Sequence, residues 1–260
     1  MDKVIFLGNG PLAEYALAVL AKECQILFVA HDKDDLEEVC RLKRENPEAH
    51  GVLASFGVII KQDVLELFEP EGIFNIHPSL LPLYRGPSPI ESAILNGDND
   101  FGVSVMKLAP EMDAGPVYMQ ATLSGMPLEK NLIYKELAEA GAKMVLTVLG
   151  REKPKEPIPQ DDKKATYTEK LVKSMGVLHP ETEGVEQIMR KIIAFQGFPK
   201  AKYVFYGLKC IILEAHILKR GEKAILELPC ADGQILSVDR LQPEGKRPMD
   251  AKSFINGYAK

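Results

Sequence analysis

Three side chains in this sequence have types and spacing suited to chemistry: an amide, an imidazole and a carboxylate, at Asn75, His77 and Asp113. Asn75 and His77 stand two residues apart in Gly72-Ile-Phe-Asn-Ile-His77, a run that reads as a short strand. Alternate strand positions point to one face, so both look the same way, near the C-terminal end where open α/β sheets keep their ligands. Asp113 lies in Glu111-Met-Asp-Ala-Gly-Pro116, on a loop after a strand expected to end near Leu108. Such a trio suits attack on a carbonyl. Asn75 can donate a hydrogen bond to the oxygen that becomes negative in a tetrahedral intermediate. His77 can stabilise the same charge or move a proton near neutral pH. Asp113 can orient His77 and accept the nucleophile's proton, directly or through a water. Taken singly, each residue also has a plainer role, at a strand end, in a turn or as a solvated loop acid.

Bringing three such groups together requires a sheet. Strand-like runs at 4–8, 26–30, 51–56, 73–77 and 103–108 alternate with helical patterns at 11–22, 34–45, 63–68 and 88–96. This alternation predicts βαβ units and an α/β, doubly wound, mainly parallel sheet. A further strand is expected at 117–123, then a long helix from Glu129 to about Leu149 with one apolar face. The stretch from Arg151 to Lys164, dense in proline and charge, reads as an extended linker across the surface. Beyond it come a helix at 183–195 and short β runs at 201–206, 210–217, 224–228 and 234–241, punctuated by Gly207, Gly221 and Gly233. Those runs suggest a small antiparallel β-barrel. The expected division is a catalytic domain over 1–150, a linker over 151–165 and a β-barrel domain over 166–260.

Composition narrows the class. A hydrophobic content of 46% with 27% charged residues is that of a globular protein, and no apolar run approaches the ~20 residues of a membrane helix. The opening Met1–Gly8 reads as a strand rather than a signal peptide. Cys24, Cys40, Cys210 and Cys230 show no CxxC pairing, as expected of reduced thiols in a cytoplasmic protein, and no metal-ligand spacing is visible. The net charge of −5 hides an asymmetry: residues 1–150 carry 12 Lys and Arg against 22 Asp and Glu, and residues 151–260 carry 20 against 15. A basic second half suggests contact with something anionic.

A rival motif precedes the trio. Leu7-Gly-Asn-Gly-Pro-Leu-Ala13 fits a strand–GxGxxA–helix pattern, with Asp32 and Asp34 where a ribose-binding acid would sit. That would suit a nicotinamide-dependent oxidoreductase, although any first strand-to-helix turn in such a sheet favours glycine.

Taken together, Asn75-Ile-His-Pro-Ser-Leu-Leu-Pro82, Arg85-Gly86, Gly102-Val-Ser-Val-Met106 and Met112-Asp-Ala-Gly-Pro116 resemble the folate-dependent formyltransferases over about residues 3–150. The resemblance implies a Rossmann-like formyltransferase core, Asn75, His77 and Asp113 as catalytic trio, and 10-formyltetrahydrofolate as formyl donor, with no metal. It places the folate against Phe56, Val58, Ile59 and Ile60, against the turn Ser79, Leu80, Leu81 and Pro82, and near Leu108. A flat, partly apolar pterin suits such walls. Gly8, Asn9, Gly10 and Arg85 are expected to face the acceptor, Arg85 being equally suited to packing its guanidinium against neighbouring carbonyls.

Thr166-Tyr-Thr-Glu-Lys170, Ala194-Phe-Gln-Gly-Phe-Pro199 and Ile235 to Met249 resemble the C-terminal, OB-like domain of the methionyl-tRNA formyltransferases. That resemblance implies transfer of the formyl group to the α-amino group of methionyl initiator tRNA in translation initiation, by a cytoplasmic monomer. Lys246 and Arg247, with Lys200, Lys202, Lys209, Lys219 and Arg220, would then meet tRNA phosphates. The sugar-nucleotide N-formyltransferases share the donor and the core, and a formyltetrahydrofolate hydrolase would turn the same trio on water. One departure stands out. Typical methionyl-tRNA formyltransferases carry a long basic loop after the second strand, whereas Ala30-His-Asp-Lys-Asp-Asp-Leu-Glu-Glu38 is short and acidic.

Overall fold

The structure, a computed structural model, describes residues 1–150 and 156–259; the part of the expected linker at 151–155 lies outside the described residues. The chain divides into two compact units, Met1–Ile90 with Asn99–Glu169, and Glu91–Asp98 with Lys170–Lys260.

In the first unit, β1 (Lys3–Gly8), β2 (Gln25–Ala30), β3 (His50–Ala54) and β4 (Ile73–His77) pair in parallel, and β5 (Asp100–Lys107) and β6 (Val117–Ser124) add antiparallel strands in the order β2-β1-β3-β4-β5-β6. Val4, Ile5, Phe6 and Leu7 are all fully buried, as parallel strands covered on both faces must be. The helices of this unit are α1 (Gly10–Glu23), α2 (Leu36–Glu45), α3 (Gln62–Leu67) and α5 (Lys130–Leu149), while α4 (Pro89–Asn96) begins here and belongs to the second unit from Glu91 on. Helix α5 backs the strand that carries Asn75 and His77. Ile76, between them, points to the opposite face, and a Cβ on Gly141 of α5 would fall 2.4 Å from its Cγ2. Only glycine lets helix and strand approach so closely.

The direction of β5 changes how the site is reached. Phe74 stands opposite Lys107 and His77 opposite Ser104, so β5 runs against β4 and ends beside β4's N-terminal end. Leu108 N–H donates to Ile73 O at 2.8 Å. The loop carrying Asp113 therefore does not leave from the C-terminal edge of the parallel strands. It returns along β4 to reach Asn75 and His77.

From Glu156 the chain is not a free surface linker. Ile158 exchanges both backbone hydrogen bonds with Val117 at 2.8 Å each. Pro157 and Pro159 lack donors, but the Ile158 N–H between them is enough for one bridge to an edge strand. Residues 166–168 then pair with the loop after β4. Arg85 N–H donates to Thr166 O at 2.9 Å, and Thr168 N–H donates to Arg85 O at 2.8 Å. Thr166 to Glu169, expected to open the second domain, thus belong to the first unit.

The second unit is an antiparallel sheet of β7 (Lys202–Phe205), β8 (Leu208–Ile217), β9 (Leu226–Pro229), β10 (Ile235–Pro243) and β11 (Met249–Asp250), with α6 (Val185–Ala194) and α7 (Ala251–Tyr258). Phe205, Ile212, Leu228, Leu236, Val238, Leu241 and Phe254 are core residues. Five antiparallel strands are consistent with the expected OB-like domain. Among the described residues the sheet stays open between β7 and β11. Helix α7 starts at Asp250, whose Oδ1 accepts from Ser253 N–H at 2.8 Å.

His216 on β8 ties this sheet together. Its Nδ1 lies 2.7 Å from Asp239 Oδ2 on β10, and its Nε2 3.2 Å from Glu222 Oε1. The hydrogen bond with Asp239, and the two negative charges, raise its pKa against partial burial. A raised folded-state pKa contributes stability that is full below the unfolded value of about 6.5 and is lost as pH rises through the folded value. The melting temperature should therefore fall more steeply with pH above about 6.5 in the wild type than in a His216→Gln variant. Parallel curves would remove this role.

Candidate active site

Asn75 and His77 are each only 5% exposed. Asn75 Nδ2 donates to Asp113 Oδ1 at 3.4 Å, and His77 Nδ1 lies 3.6 Å from the same oxygen. The other carboxylate oxygen, Oδ2, accepts from Gly86 N–H at 2.8 Å. The structure thus brings the three residues together.

The imidazole's far nitrogen settles its tautomer. His77 Nε2 lies 3.0 Å from Tyr84 O, and a carbonyl can only accept, so Nε2 carries a proton. In a neutral ring Nδ1 would then turn a bare lone pair on the carboxylate. With Nε2 tied to Tyr84, His77 can donate toward a reacting oxygen only from a protonated Nδ1.

Asp113 sits at φ 51, in the left-handed region, which costs a non-glycine residue on the order of 1–3 kcal/mol and persists only when its surroundings hold it. The holders are visible. Gln160 Nε2 donates to Asp113 O at 2.8 Å and to Gly115 O at 2.7 Å. A Cβ on Gly115 would fall 1.9 Å from Lys107 O, so the turn closes only with glycine there. Gln160 Oε1 accepts from Arg85 Nε at 3.1 Å and Nη2 at 2.8 Å. Arg85 is 2% exposed and also binds Asp162 Oδ1 at 2.7 Å and Tyr167 Oη at 3.4 Å. The Arg85 guanidinium is thus buried and fastens residues 160–167, the packing role that the sequence allowed beside an acceptor-facing one. Gln160, in a stretch that reads as linker, is the residue local sequence did not reveal.

The turn after β4 is built on Ser104. Its Oγ donates to Ser79 O at 2.6 Å and accepts from Leu81 N–H at 3.1 Å. Gln120 Nε2 holds Leu81 O at 2.8 Å. Ser79 is buried, its Oγ donating to Leu83 O. Leu80 packs where a Cβ on Gly102 would be, and the half-buried Pro82 accepts from Thr166 N–H at 3.2 Å. Phe56 and Ile60 are core residues, with Val58 and Leu108 packed against the same cluster. Ile59 is 81% exposed. Of the apolar side chains expected as walls, Ile59 is thus the one turned outward. Met112, beside Asp113, and Leu83, beside Tyr84, are also exposed.

The turn Gly8, Asn9, Gly10 lies at the end of β1, separated from β4 by β3. Asn9 Nδ2 donates to His31 O at 2.8 Å, and His31 Nδ1 lies 3.1 Å from Gly8 O. Asp32 accepts from Asp34 N–H at 2.8 Å, within the connection that leads straight into α2. Both acids of the rival dinucleotide reading are therefore in or beside a local cap. Lys246 and Arg247 are exposed, in the turn after β10.

The sequence profile described as formyl transferase matches residues 4–149, and that of the formyl transferase C-terminal domain matches residues 170–259. A methionyl-tRNA formyltransferase of Dictyoglomus thermophilum is 34% identical over 246 residues, covering 87% of this chain and 77% of that protein. Among solved structures, HypX from Aquifex aeolicus in complex with tetrahydrofolic acid superposes with a TM-score of 0.78 at 18% identity, covering 100% of this chain; this chain spans only 48% of HypX. WlaRD, a sugar 3N-formyltransferase, superposes with a TM-score of 0.65 at 17% identity, covering 95% of this chain and 99% of that one. By the extent of these matches, over both its N-terminal and its C-terminal part, the chain belongs to the formyl transferase family.

Proposed function

We propose that this enzyme transfers the formyl group of 10-formyltetrahydrofolate to the α-amino group of methionyl initiator tRNA, with Asn75, His77 and Asp113 as its catalytic residues. The meeting of all three at one carboxylate oxygen, Asp113 Oδ1, carries the reading. The sequence relatives named for methionyl-tRNA support the acceptor, and the tetrahydrofolate bound by HypX supports the donor class.

The chemistry demands little of the nucleophile. A free α-amine has a pKa of about 7.7–8.0, and the electron-withdrawing ester lowers it further, so much of it is neutral near pH 7. The amine nitrogen bonds to the formyl carbon, and the carbonyl electron pair moves to oxygen. Asn75 Nδ2 and a protonated His77 Nδ1 stabilise that oxyanion. Asp113 takes the proton that the attacking amine sheds. The bond from the formyl carbon to N10 of the folate then breaks as the oxyanion collapses, and N10 receives the proton from Asp113.

The second unit supplies a surface for the nucleic acid. Lys202 is paired with Ile211, Ile211 with Gln242, and Val204 with Lys209. Paired residues share a face, so Lys202 and Lys209 project from the side opposite the core residues Phe205, Cys210 and Ile212. Gln242 Nε2 holds Lys246 O at 2.9 Å, which brings the turn bearing Lys246 and Arg247 to that side.

A second reading rests on one observation. Strand β2 passes into α2 through His31–Asp35 alone, an acidic capped turn with no insertion. An amino-sugar nucleotide is an acceptor that would need no long basic loop. One experiment separates the readings: release of tetrahydrofolate from 10-formyltetrahydrofolate, measured with charged initiator tRNA and without it. Release that requires the charged tRNA and weakens steeply with salt is expected; contact with about four phosphates gives a log–log slope of about −3 to −4. Release without any acceptor would indicate hydrolysis. Release only with an amino-sugar nucleotide would establish the second reading.

A further inference from the structure

We propose that Gln160 is a positioning residue of this active site, holding the Asp113–Gly115 turn so that the Asp113 carboxylate meets Asn75 and His77. The inference rests on the reading of Asp113 as the catalytic carboxylate. The Gln160 amide has different partners at its two ends: Nε2 donates to Asp113 O and Gly115 O at 2.8 and 2.7 Å, and Oε1 accepts from Arg85 Nε and Nη2 at 3.1 and 2.8 Å. Carbonyls only accept and a guanidinium only donates, so a flipped amide would lose all four bonds. Chemistry, not packing alone, fixes its orientation.

Arg85 is itself anchored. Its backbone bonds to Thr166 and Thr168, and its guanidinium is buried. The next residue, Gly86, supplies the N–H that orients Asp113 Oδ2 at 2.8 Å. A closed circuit results: Gln160 holds the backbone of Asp113, Arg85 holds Gln160, and the residue after Arg85 holds the Asp113 carboxylate. Among the described residues, Gln160 directs its hydrogen bonds to Arg85, Asp113 and Gly115. It works through the Asp113 turn, where a displacement of about 1 Å can cost about a hundredfold in rate.

Gln160→Glu isolates this role. It keeps the side chain's size and its acceptor for Arg85 but removes both donors. Hydrogen exchange at the Gly86 amide should accelerate at least about tenfold, while the β4 amides keep their protection. Turnover should fall about 10- to 100-fold, with KM for the folate donor changed less than about threefold, because the donor's binding surface is untouched. Gln160→Met, which removes donors and acceptor alike, should show the same local exchange signature with at least as large a loss. Exchange needs no substrate, so failure of the wild type to use charged tRNA would sink the acceptor assignment and leave this test standing. Unchanged exchange at Gly86 in both variants would overturn the inference. So would loss of protection spread across β4, since that marks a residue the whole fold depends on.

Discussion

Asp113→Asn is expected to lower the single-turnover rate of formyl transfer by about 10²–10⁴-fold while leaving the melting temperature nearly unchanged. The substitution is chosen for what it preserves. Asparagine has the same size and is among the few residues that tolerate the left-handed region, where Asp113 sits at φ 51. Its amide oxygen can still accept the Gly86 N–H that now binds Oδ2 at 2.8 Å. What it cannot do is take the amine's proton or balance a protonated His77 Nδ1, which stands 3.6 Å from Oδ1. Alanine would confound the two effects by adding backbone strain. A rate within tenfold of wild type would remove Asp113 as proton acceptor, and a solvent water would have to take that part.

Asn75→Ala should cost about 10²–10³ in kcat, about 2.7–4 kcal/mol of transition-state stabilisation, with a much smaller change in KM. Its hydrogen bond to Asp113 is long, 3.4 Å, and a long bond contributes little to the ground state. The amide becomes valuable when negative charge appears nearby in a site with Asn75 and His77 95% buried, where a fixed donor needs no reorganisation. Asn75→Asp would be worse, since it sets a second carboxylate beside Asp113 and the two would have to share a proton. The Asn75→Ala, Asp113→Asn double variant should lose less than the product of the single losses, because groups that act as a unit are not additive. A full multiplicative loss would show that they act on separate steps.

Much of this site is legible in the sequence because it follows from short-range periodicity. The strand expected at 73–77 is β4 with the same bounds, and the two-residue spacing alone puts Asn75 and His77 on one face. The helix behind them is expected at Glu129 to Leu149 and found at Lys130–Leu149, since its apolar stripe spans five turns. Strand direction leaves no such trace. The apolar run at 103–108 reads the same whether β5 runs with β4 or against it, and only the long-range pairing reveals the path that Asp113 takes. Arg85 shows the other limit. Its guanidinium and Gln160 are 75 residues apart in sequence, and whether an arginine faces a substrate or a buried amide depends on burial that local composition does not encode. The prolines on either side of Ile158 signal an extended chain, but its pairing with Val117, 41 residues earlier, leaves no local trace.

Residues 156–169 also decide where this protein can be cut. A boundary drawn at the last helical residue, Leu149, would leave a fragment with all six strands of the first sheet and with Asn75, His77 and Asp113 in its sequence. It would lack the partners of Tyr84, Arg85, Gly115 and the Asp113 carbonyl. Replacement of this chain's C-terminal module meets the same constraint. A swap joined after α5 replaces part of the frame around Asn75, His77 and Asp113 along with the module, whereas one joined after Glu169 leaves that frame in place.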